Sequence, residues 1–287
     1  MGMVINTNMA SINTQRQLKK NDDALSTSMQ RLSSGLRVNS SRDDAAGLAI
    51  ATRMTTQIRG MTVASRNAND GISMAQTAEG GMAEMTDTLL RMRDLAVQAA
   101  NTGAVSSQDR QKLQDEFKQM GQELKRNIDN TTFNGLKIFK GQASGKNFQV
   151  GWGASAHNQI SITIPNFSAA AFSATKLFGT AAGAFSIGSA VSTTVKFGSV
   201  LNNIDKVLDN INNSRAKLGA TQNRFMSAIS NLSQSIENNS AARSRIMDAD
   251  FATETSNLSR NQILQQAATA MLGQANQSTQ GVLGLLR

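Results

Sequence analysis

The sequence contains no cysteine and no tyrosine, and only one proline, one histidine and one tryptophan among its 287 residues. Without cysteine the chain can form no disulfide framework, thiol nucleophile or cysteine-ligated metal site. Aromatic residues make up 4% of the chain, so bulky side chains that would fill a large compact core are scarce. The abundant apolar residues are alanine, leucine, isoleucine and methionine, which favour long helix–helix contacts.

Signals for a membrane or for ordinary secretion are also missing. The absence of disulfides is typical of a reducing compartment, and it also fits an export route that passes unfolded chains. The first thirty residues contain no basic segment followed by an apolar one, so we expect no cleaved secretory signal. No run approaches the roughly 18–20 apolar residues of a transmembrane helix, so we expect no membrane insertion.

The formal net charge of +9 is compatible with a nucleic-acid partner. However, the basic residues are scattered along the chain, and no aromatic residues lie among them for base stacking. A solvated basic surface is therefore the favoured interpretation, and no nucleic-acid partner is expected. A nucleic-acid-binding rod is the alternative, and it predicts a salt-sensitive gel shift with duplex DNA.

Residues that could carry catalysis are few. No aspartate or glutamate occurs from Asn130 to Ile204, so no nearby carboxylate in the sequence could orient His157. The segment "GQASGKN" (141–147) is one residue too short for a phosphate-binding loop. "GWGASA" (151–156) fits a loose dinucleotide pattern, but a strand-like segment follows it instead of a helix. We expect no catalytic, cofactor-binding or metal site, and an enzyme hosted in the middle of the chain is the weakest alternative.

Apolar periodicity divides the chain into three zones. Residues 1–140 and 199–287 follow helical periods, whereas 141–198 is rich in glycine, alanine, serine, threonine and phenylalanine. Rows spaced by seven residues predict coiled-coil or bundle helices. The rows are Leu18, Leu25 and Leu32; Ala75, Met82, Leu89 and Ala96; Ala78, Met85, Met92 and Ala99; Leu264, Met271, the polar Ser278 and Leu285; and Ala268, Ala275 and Val282.

Shorter signals refine this picture. Ser41 and Asp44 resemble a capping box that would start a new helix after the break at "SSGLRVNSS". Alternating residues predict strands at 147–152, 158–164 and 192–197. The expected fold class is mainly α: a long helical coiled-coil or bundle rod formed by the N- and C-terminal segments, with a small β-hairpin region in the middle.

Both ends of the chain are apolar, although chain ends are usually polar and frayed. Exposed apolar stripes favour association, because each buried leucine or valine contributes roughly 1.5–3 kcal/mol. We therefore expect the terminal stripes to carry self-assembly, and we expect the rows that begin at Leu264 and Ala268 to face the N-terminal helix and adjacent subunits. The candidate residues are Val4, Ile5, Leu18, Leu25, Leu32, Leu264, Met271, Val282, Leu285 and Leu286.

Several long blocks along the chain carry its most specific signal. The blocks are "VINTNMASINTQRQL" (4–18), "RLSSGLRVNSSRDDAAGLAIATRM" (31–54), "LLRMRDLAVQAANTG" (89–103), "FNGLKIF" (133–139), "LGATQNRF" (218–225), "NNSAARSRIMDADFATETSNLSRNQILQQAATAMLGQANQ" (238–277) and "VLGLLR" (282–287). With these blocks the chain resembles the bacterial flagellins. The resemblance covers about residues 3–140 and 199–287, and the short middle implies a form with reduced or absent outer domains.

This resemblance implies a domain layout and a function. Residues 1–45 and 250–287 are expected to form an inner coiled-coil domain, and 46–249 an outer helical-bundle domain with a β-rich segment at about 141–198. The implied function is a secreted structural subunit that polymerises into the extracellular flagellar filament for swimming. Implied partners are the flagellar export apparatus, a flagellin export chaperone, the filament cap and the hook–filament junction proteins. A junction protein or another axial flagellar protein is the alternative.

The resemblance also implies recognition of the monomer by host Toll-like receptor 5. Matching the family motif to "LLRMRDLAV" and "LQDEF" assigns the receptor contacts to Arg91, Leu95 and Glu116. Arg91 and Glu116 are expected at the surface, whereas Leu95 is also the kind of residue that packs in a core.

Overall fold

The computed structural model describes residues 7–101, 103–167 and 194–284. It forms two compact units, a terminal unit of residues 1–58 with 237–287 and a middle unit of residues 59–236. The described helices are α1 (Met9–Ser34), α2 (Ala45–Ala100), α3 (Ser107–Asn130), α4 (Thr194–Met247) and α5 (Phe251–Gly284). The described strands are β1 (Thr132–Phe133), β2 (Leu136–Lys137), β3 (Lys146–Gln149) and β4 (Gln159–Ile162). The predicted class, mainly α with a small β-hairpin region, is confirmed.

In the terminal unit, the break between α1 and α2 is built from side-chain caps. Gly35 ends α1 in the left-handed conformation, at φ +71°, and its N–H donates to the carbonyl of Arg31 at 2.8 Å. Asp44 begins α2 by accepting a bond from the N–H of Gly47 at 2.7 Å. The capping box predicted from Ser41 is therefore wrong, because Asp44 itself is the residue that caps the helix.

Backbone hydrogen bonds join the turn that follows α1 to the turn that precedes α5. Leu36 forms an isolated antiparallel bridge with Asp248, and the N–H of Arg37 donates to the carbonyl of Met247 at 2.6 Å. Asp250 caps α5, and hydrogen bonds from the hydroxyl and N–H of Thr253, together with the N–H of Ala252, hold the pKa of Asp250 below its usual value. These contacts fix the points at which α1 ends and α5 begins.

The core of the middle unit confirms the predicted rows on α2. Their eight alanine, methionine and leucine side chains are all fully buried. Apolar residues from α3 and α4 surround them: Phe117, Leu124, Ile128, Ile204, Val207, Ile211, Leu218 and Phe225. Small alanines alternating with flexible methionines allow the helices to approach closely and still leave few gaps.

The β elements of the middle unit are two antiparallel hairpins. In the first, Asn134 and Gly135 both have positive φ angles and form the two-residue turn between β1 and β2. In the second, β3 pairs with β4 from Lys146 opposite Ile162 to Gln149 opposite Gln159. Ile160 and Ile162 point into the core, and their alternation with exposed neighbours is the pattern that predicted a strand here.

One strand prediction is wrong. Residues 194–197 of "STTVKF" belong to the first turns of α4, and residues 192–193 lie outside the described residues. The β-branched residues of this segment favoured a strand, but the apolar stripe that buries Val200, Ile204 and Val207 has a helical period and begins here. The part of the predicted β-rich segment at 168–193 also lies outside the described residues.

Candidate assembly surface

Helices α1 and α5 of the terminal unit form an antiparallel pair. The amide group of Asn8, at the start of α1, donates to the carbonyl of Ala275 at 3.0 Å. In the middle of the pair, the amide of Gln265 donates to Asp22 at 2.8 Å. At the other end, Arg31 of α1 lies 3.7 Å from Glu254 in the first turn of α5. Positions near the beginning of one helix therefore lie level with positions near the end of the other.

Both helices carry a heptad seam. The covered positions recur at spacings of three and four residues, as expected for a two-helix coiled coil. On α1 these positions are Ser11, Thr14, Leu18, Asn21, Leu25, Ser28 and Leu32, and on α5 they are Glu254, Leu258, Asn261, Gln265, Ala268, Leu272 and Ala275. Half of these residues are polar or charged, so the pair buries little apolar surface for its length.

The pairing of α1 with α5 shows which predicted stripes lie in the seam and which lie beside it. Leu18, Leu25 and Leu32 are half-buried and face α5, and Ala268 and Ala275 are half-buried in the same seam. Leu264 and Met271 were expected to face both α1 and neighbouring subunits, but they remain exposed beside the seam. The contact with α1 is therefore wrong for these two residues, because their row flanks the seam instead of entering it. The side chains of Val4, Ile5, Val282, Leu285 and Leu286 lie outside the described residues.

A second set of apolar side chains is left uncovered by the α1–α5 pair, and we call it the terminal apolar surface. Each member exposes between 43 and 69% of its area, far more than the core residues of the middle unit. Between Phe251 and Gly284, α5 carries only two charged residues, Glu254 and Arg260. A helix with apolar residues on several sides and few charges is typical of one that is surrounded by other helices. The terminal apolar surface comprises Met9, Ile12, Met29, Phe251, Ile263, Leu264 and Met271.

The ion pair at the end of the seam was not found from the sequence. Glu254 is buried in the first turn of α5, where the helix dipole favours a negative charge. Arg31 approaches it, and the Nε atom of Arg31 is buried with no hydrogen-bond partner. The residues lie 223 positions apart, so only the antiparallel pairing of α1 with α5 brings them together.

The predicted receptor residues lie in the middle unit. Arg91 of α2 is exposed and Glu116 of α3 is half-buried, and they form an ion pair, with Nη2 to Oε1 at 2.6 Å and Nε to Oε1 at 3.1 Å. Leu95 is only 1% exposed and packs in the core, so it presents no surface to a receptor in this conformation. Arg93 makes a similar bond to Asp205 of α4 at 2.8 Å. Arg91 and Arg93 of α2 therefore form ion pairs with α3 and α4, respectively.

The segments considered as nucleotide loops form connections of the β hairpins. Residues 141–147 lead into β3, and 151–156 lie between β3 and β4. His157 lies in a short 3₁₀ turn on the rim of an open groove of about 620 Å³, which is also lined by Trp152, Arg224 and Asn231. No carboxylate is among the described residues that line this groove, so His157 has no acidic partner there.

These features define a helical structural protein whose terminal helices present apolar surface for association. Residues 5–144 match the family of the bacterial flagellin N-terminal helical region, and residues 201–286 match that of the bacterial flagellin C-terminal helical region. The chain belongs to the bacterial flagellins.

Full-length relatives agree with this assignment. Flagellin of Bacillus subtilis is 42% identical over 304 residues, which cover 99% of this chain and 100% of that protein. Flagellin of Halalkalibacterium halodurans is 42% identical over 285 residues with the same coverage, and flagellin B of Vibrio cholerae is 35% identical over 376 residues that cover both chains completely. The crystal structure of Bacillus cereus flagellin superposes with a TM-score of 0.46 at 23% identity, covering 58% of this chain and 88% of that one.

Flagellins are structural proteins that polymerise with themselves into the extracellular filament of the flagellum. The chain is accordingly a structural filament subunit and not an enzyme. None of the described helices is long and apolar enough to cross a membrane.

Proposed function

We propose that the chain polymerises through its terminal unit and so builds the filament that a bacterium rotates to swim. The observation that carries this proposal is the terminal apolar surface, which the α1–α5 pair leaves uncovered. Because members of this surface lie on both helices and on more than one side of α5, one neighbouring subunit would cover only part of it. Contacts between different surfaces of successive subunits generate a helical filament when the rotation between subunits does not close into a ring.

The half-polar seam between α1 and α5 supports the same proposal. Polar residues at seam positions lower the stability of a coiled coil, so this pair gains more from neighbours than a leucine-rich pair would. Amide side chains such as those of Asn261 and Gln265 can exchange hydrogen bonds between helices as subunits pack. Neighbouring subunits complete the packing of the terminal unit in the filament. The self-assembly residues predicted from the sequence contribute to these contacts.

The same function requires export and capping partners. The chain reaches the growing tip through the flagellar export apparatus, with an export chaperone that covers its terminal apolar segments until they assemble. The hook–filament junction proteins and the filament cap bound the two ends of the polymer. The absence of cysteine supports passage as an unfolded chain, because no disulfide has to form or break on the way.

In a host, the monomer activates Toll-like receptor 5 through the exposed Arg91–Glu116 pair. The pair offers a guanidinium and a carboxylate side by side, and both side chains retain free hydrogen-bonding surface. Leu95 contributes to this surface by packing in the core, and it does not contact the receptor.

Electron microscopy of charge variants tests the assembly proposal. Ile263→Glu places a carboxylate in the terminal apolar surface, at a residue that is 66% exposed and therefore dispensable for folding of the subunit. Gln122→Glu adds the same charge at an exposed position of α3 and serves as the matched control. We expect filaments from the full-length protein and from the control. We expect none from Ile263→Glu or from a chain lacking residues 278–287. Filaments from Ile263→Glu at the normal protein concentration would contradict the proposal.

A further inference from the structure

Nine of the twelve described methionines fall into two groups of contrasting exposure, and Met54, Met120 and Met247 are half-buried. Five in the middle unit are at most 3% exposed: Met61, Met74, Met82, Met85 and Met92. Four are widely open to solvent: Met9 at 69%, Met271 at 62%, Met29 at 57% and Met226 at 54%. Three of these four lie on α1 and α5, and these two helices contain no other methionine. The exposed methionines are therefore concentrated in the terminal apolar surface.

We propose that Met9, Met29 and Met271, spread along the α1–α5 pair, together form an oxidant-sensitive set of positions, called here the oxidation site, through which hydroperoxides block polymerisation. This inference rests on the proposed role of the terminal apolar surface in assembly. In the reaction, the thioether sulfur donates an electron pair to a peroxide oxygen, the O–O bond breaks and an S–O bond forms. The sulfur is oxidised to the sulfoxide and the peroxide is reduced. The second oxygen takes up the proton released by the transferred oxygen and leaves as water from hydrogen peroxide, or as an alcohol from an organic hydroperoxide.

The consequence for assembly follows from the change in polarity. Methionine is an apolar, adaptable side chain, well suited to a surface that must fit several neighbours. Its sulfoxide carries a strong hydrogen-bond acceptor, which loses its water when the surface is covered by another subunit. Three sulfoxides per subunit would act together, since every subunit of the filament repeats the same contacts.

The subunit itself should tolerate this oxidation. Met9, Met29 and Met271 are already solvated in the single subunit, so their sulfoxides remain hydrated there. The buried methionines of the middle unit are shielded by the surrounding helices, and a peroxide reaches them only when that unit opens. The site therefore controls polymerisation without unfolding the middle unit.

The experiment treats full-length monomer with hydrogen peroxide, removes the oxidant and measures the critical concentration for polymerisation. Peptide mass spectrometry reports which methionines carry oxygen. We expect oxidation at Met9, Met29, Met271 and Met226, and a critical concentration raised by about tenfold or more. A variant with Met9→Leu, Met29→Leu and Met271→Leu should polymerise normally before and after treatment. The single variant Met226→Leu is the matched control and should stay sensitive, and methionine sulfoxide reductases should restore polymerisation of the oxidised protein.

A second arm separates this inference from the proposed function. Assembled filaments are exposed to the same peroxide, and the proposed assembly surface requires Met9, Met29 and Met271 to be oxidised at least several-fold more slowly than in the monomer. If they are protected in filaments but oxidised monomer polymerises at the normal critical concentration, the oxidation site is refuted and the assembly surface stands. If the triple leucine variant is as sensitive as the natural sequence, the site is again refuted. If the three residues react equally fast in filaments, the assembly surface itself is refuted.

Discussion

Two adjacent glycines in α2 experience opposite environments, and they give a direct test of packing in the middle unit. A β-carbon added at Gly80 would meet no atom within 4 Å. A β-carbon at Gly81 would lie 2.7 Å from Cε2 of Phe139 and 3.2 Å from Cγ2 of Thr131. We therefore consider the substitutions Gly80→Ala and Gly81→Ala in otherwise identical chains.

The expected magnitudes follow from two effects. Alanine is favoured over glycine inside a helix by about 1 kcal/mol, and this gain is the same for both neighbours. Gly80→Ala should thus raise the free energy of unfolding by roughly 0.5–1 kcal/mol. At position 81 the ring of Phe139 has to move, although it is fully buried and packs edge-on against Phe167 with ring centroids 5.6 Å apart. Overpacking of this kind costs about 1–3 kcal/mol. Gly81→Ala should therefore be less stable than Gly80→Ala by about 1–3 kcal/mol.

Urea and thermal unfolding of both variants, followed by circular dichroism below the critical concentration, measure this difference. For a domain of 150–250 residues, each kcal/mol shifts Tm by about 2–4 °C. Because the helix-propensity gain cancels in the comparison, the difference reports the contacts with Phe139 and Thr131. Equal stability of the two variants would show that the Phe139 ring yields freely, and it would refute the close packing described for α2.

Three further predictions concern charged side chains. Arg91→Glu should abolish activation of Toll-like receptor 5 reporter cells while changing stability by less than about 1 kcal/mol, because the pair is exposed; adding Glu116→Arg should restore the ion pair but not activation, and an active double variant would contradict the proposed contact. Because the pKa of Asp250 is depressed in the folded state, its cap stabilises the fold above the usual aspartate pKa of about 4, and this stabilisation is lost as pH falls through the lower folded pKa. Asp250→Asn should keep the cap and make the free energy of unfolding less sensitive to acid. An unchanged pH profile of unfolding would count against this. Arg31→Met should destabilise the α1–α5 pair by about 3 kcal/mol, because it leaves Glu254 buried without a partner, whereas the double variant Arg31→Met with Glu254→Met should recover most of the loss. Hydrogen exchange of α5 amides measures both effects. Similar exchange in the single and double variants would exclude a role for the Arg31–Glu254 ion pair.

The sequence predicted well wherever one periodic signal dominates. The rows containing Met82 and Met85 are fully buried because a heptad repeat gives α2 one apolar face, and the neighbouring helices α3 and α4 cover that face. The hairpin turn at Asn134 and Gly135 also carries a clear local signal, because an Asn-Gly pair lies there between the apolar residues Phe133 and Leu136. The strand predicted at 192–197 failed because a short β-branched run does not reveal which neighbours it will pack against.

The candidate site was predictable only in part, for a related reason. A heptad row identifies one side of a helix, but it does not identify the partner that covers that side. Leu264 and Met271 share their seven-residue period with the seam residues Ala268 and Ala275, yet they lie beside the seam and stay exposed. The register of the antiparallel pair, fixed by contacts such as that between Gln265 and Asp22, decides the difference, and it depends on residues far apart in the chain.

The contrast between the two units indicates how folding and assembly are divided along this chain. Among the described residues, the middle unit buries its apolar rows on α2 completely and leaves five large apolar side chains more than 40% exposed, whereas the smaller terminal unit leaves seven. Burying the exposed parts of those side chains would contribute on the order of 10 kcal/mol per subunit. Fixing a free subunit in place costs about 4–15 kcal/mol in lost translational and rotational freedom. The two quantities are similar, so a contact that covers half of the terminal apolar surface would not hold two subunits together. Stable association therefore requires several neighbours around each α1–α5 pair at once, and a growing filament tip supplies them whereas two monomers meeting in solution do not.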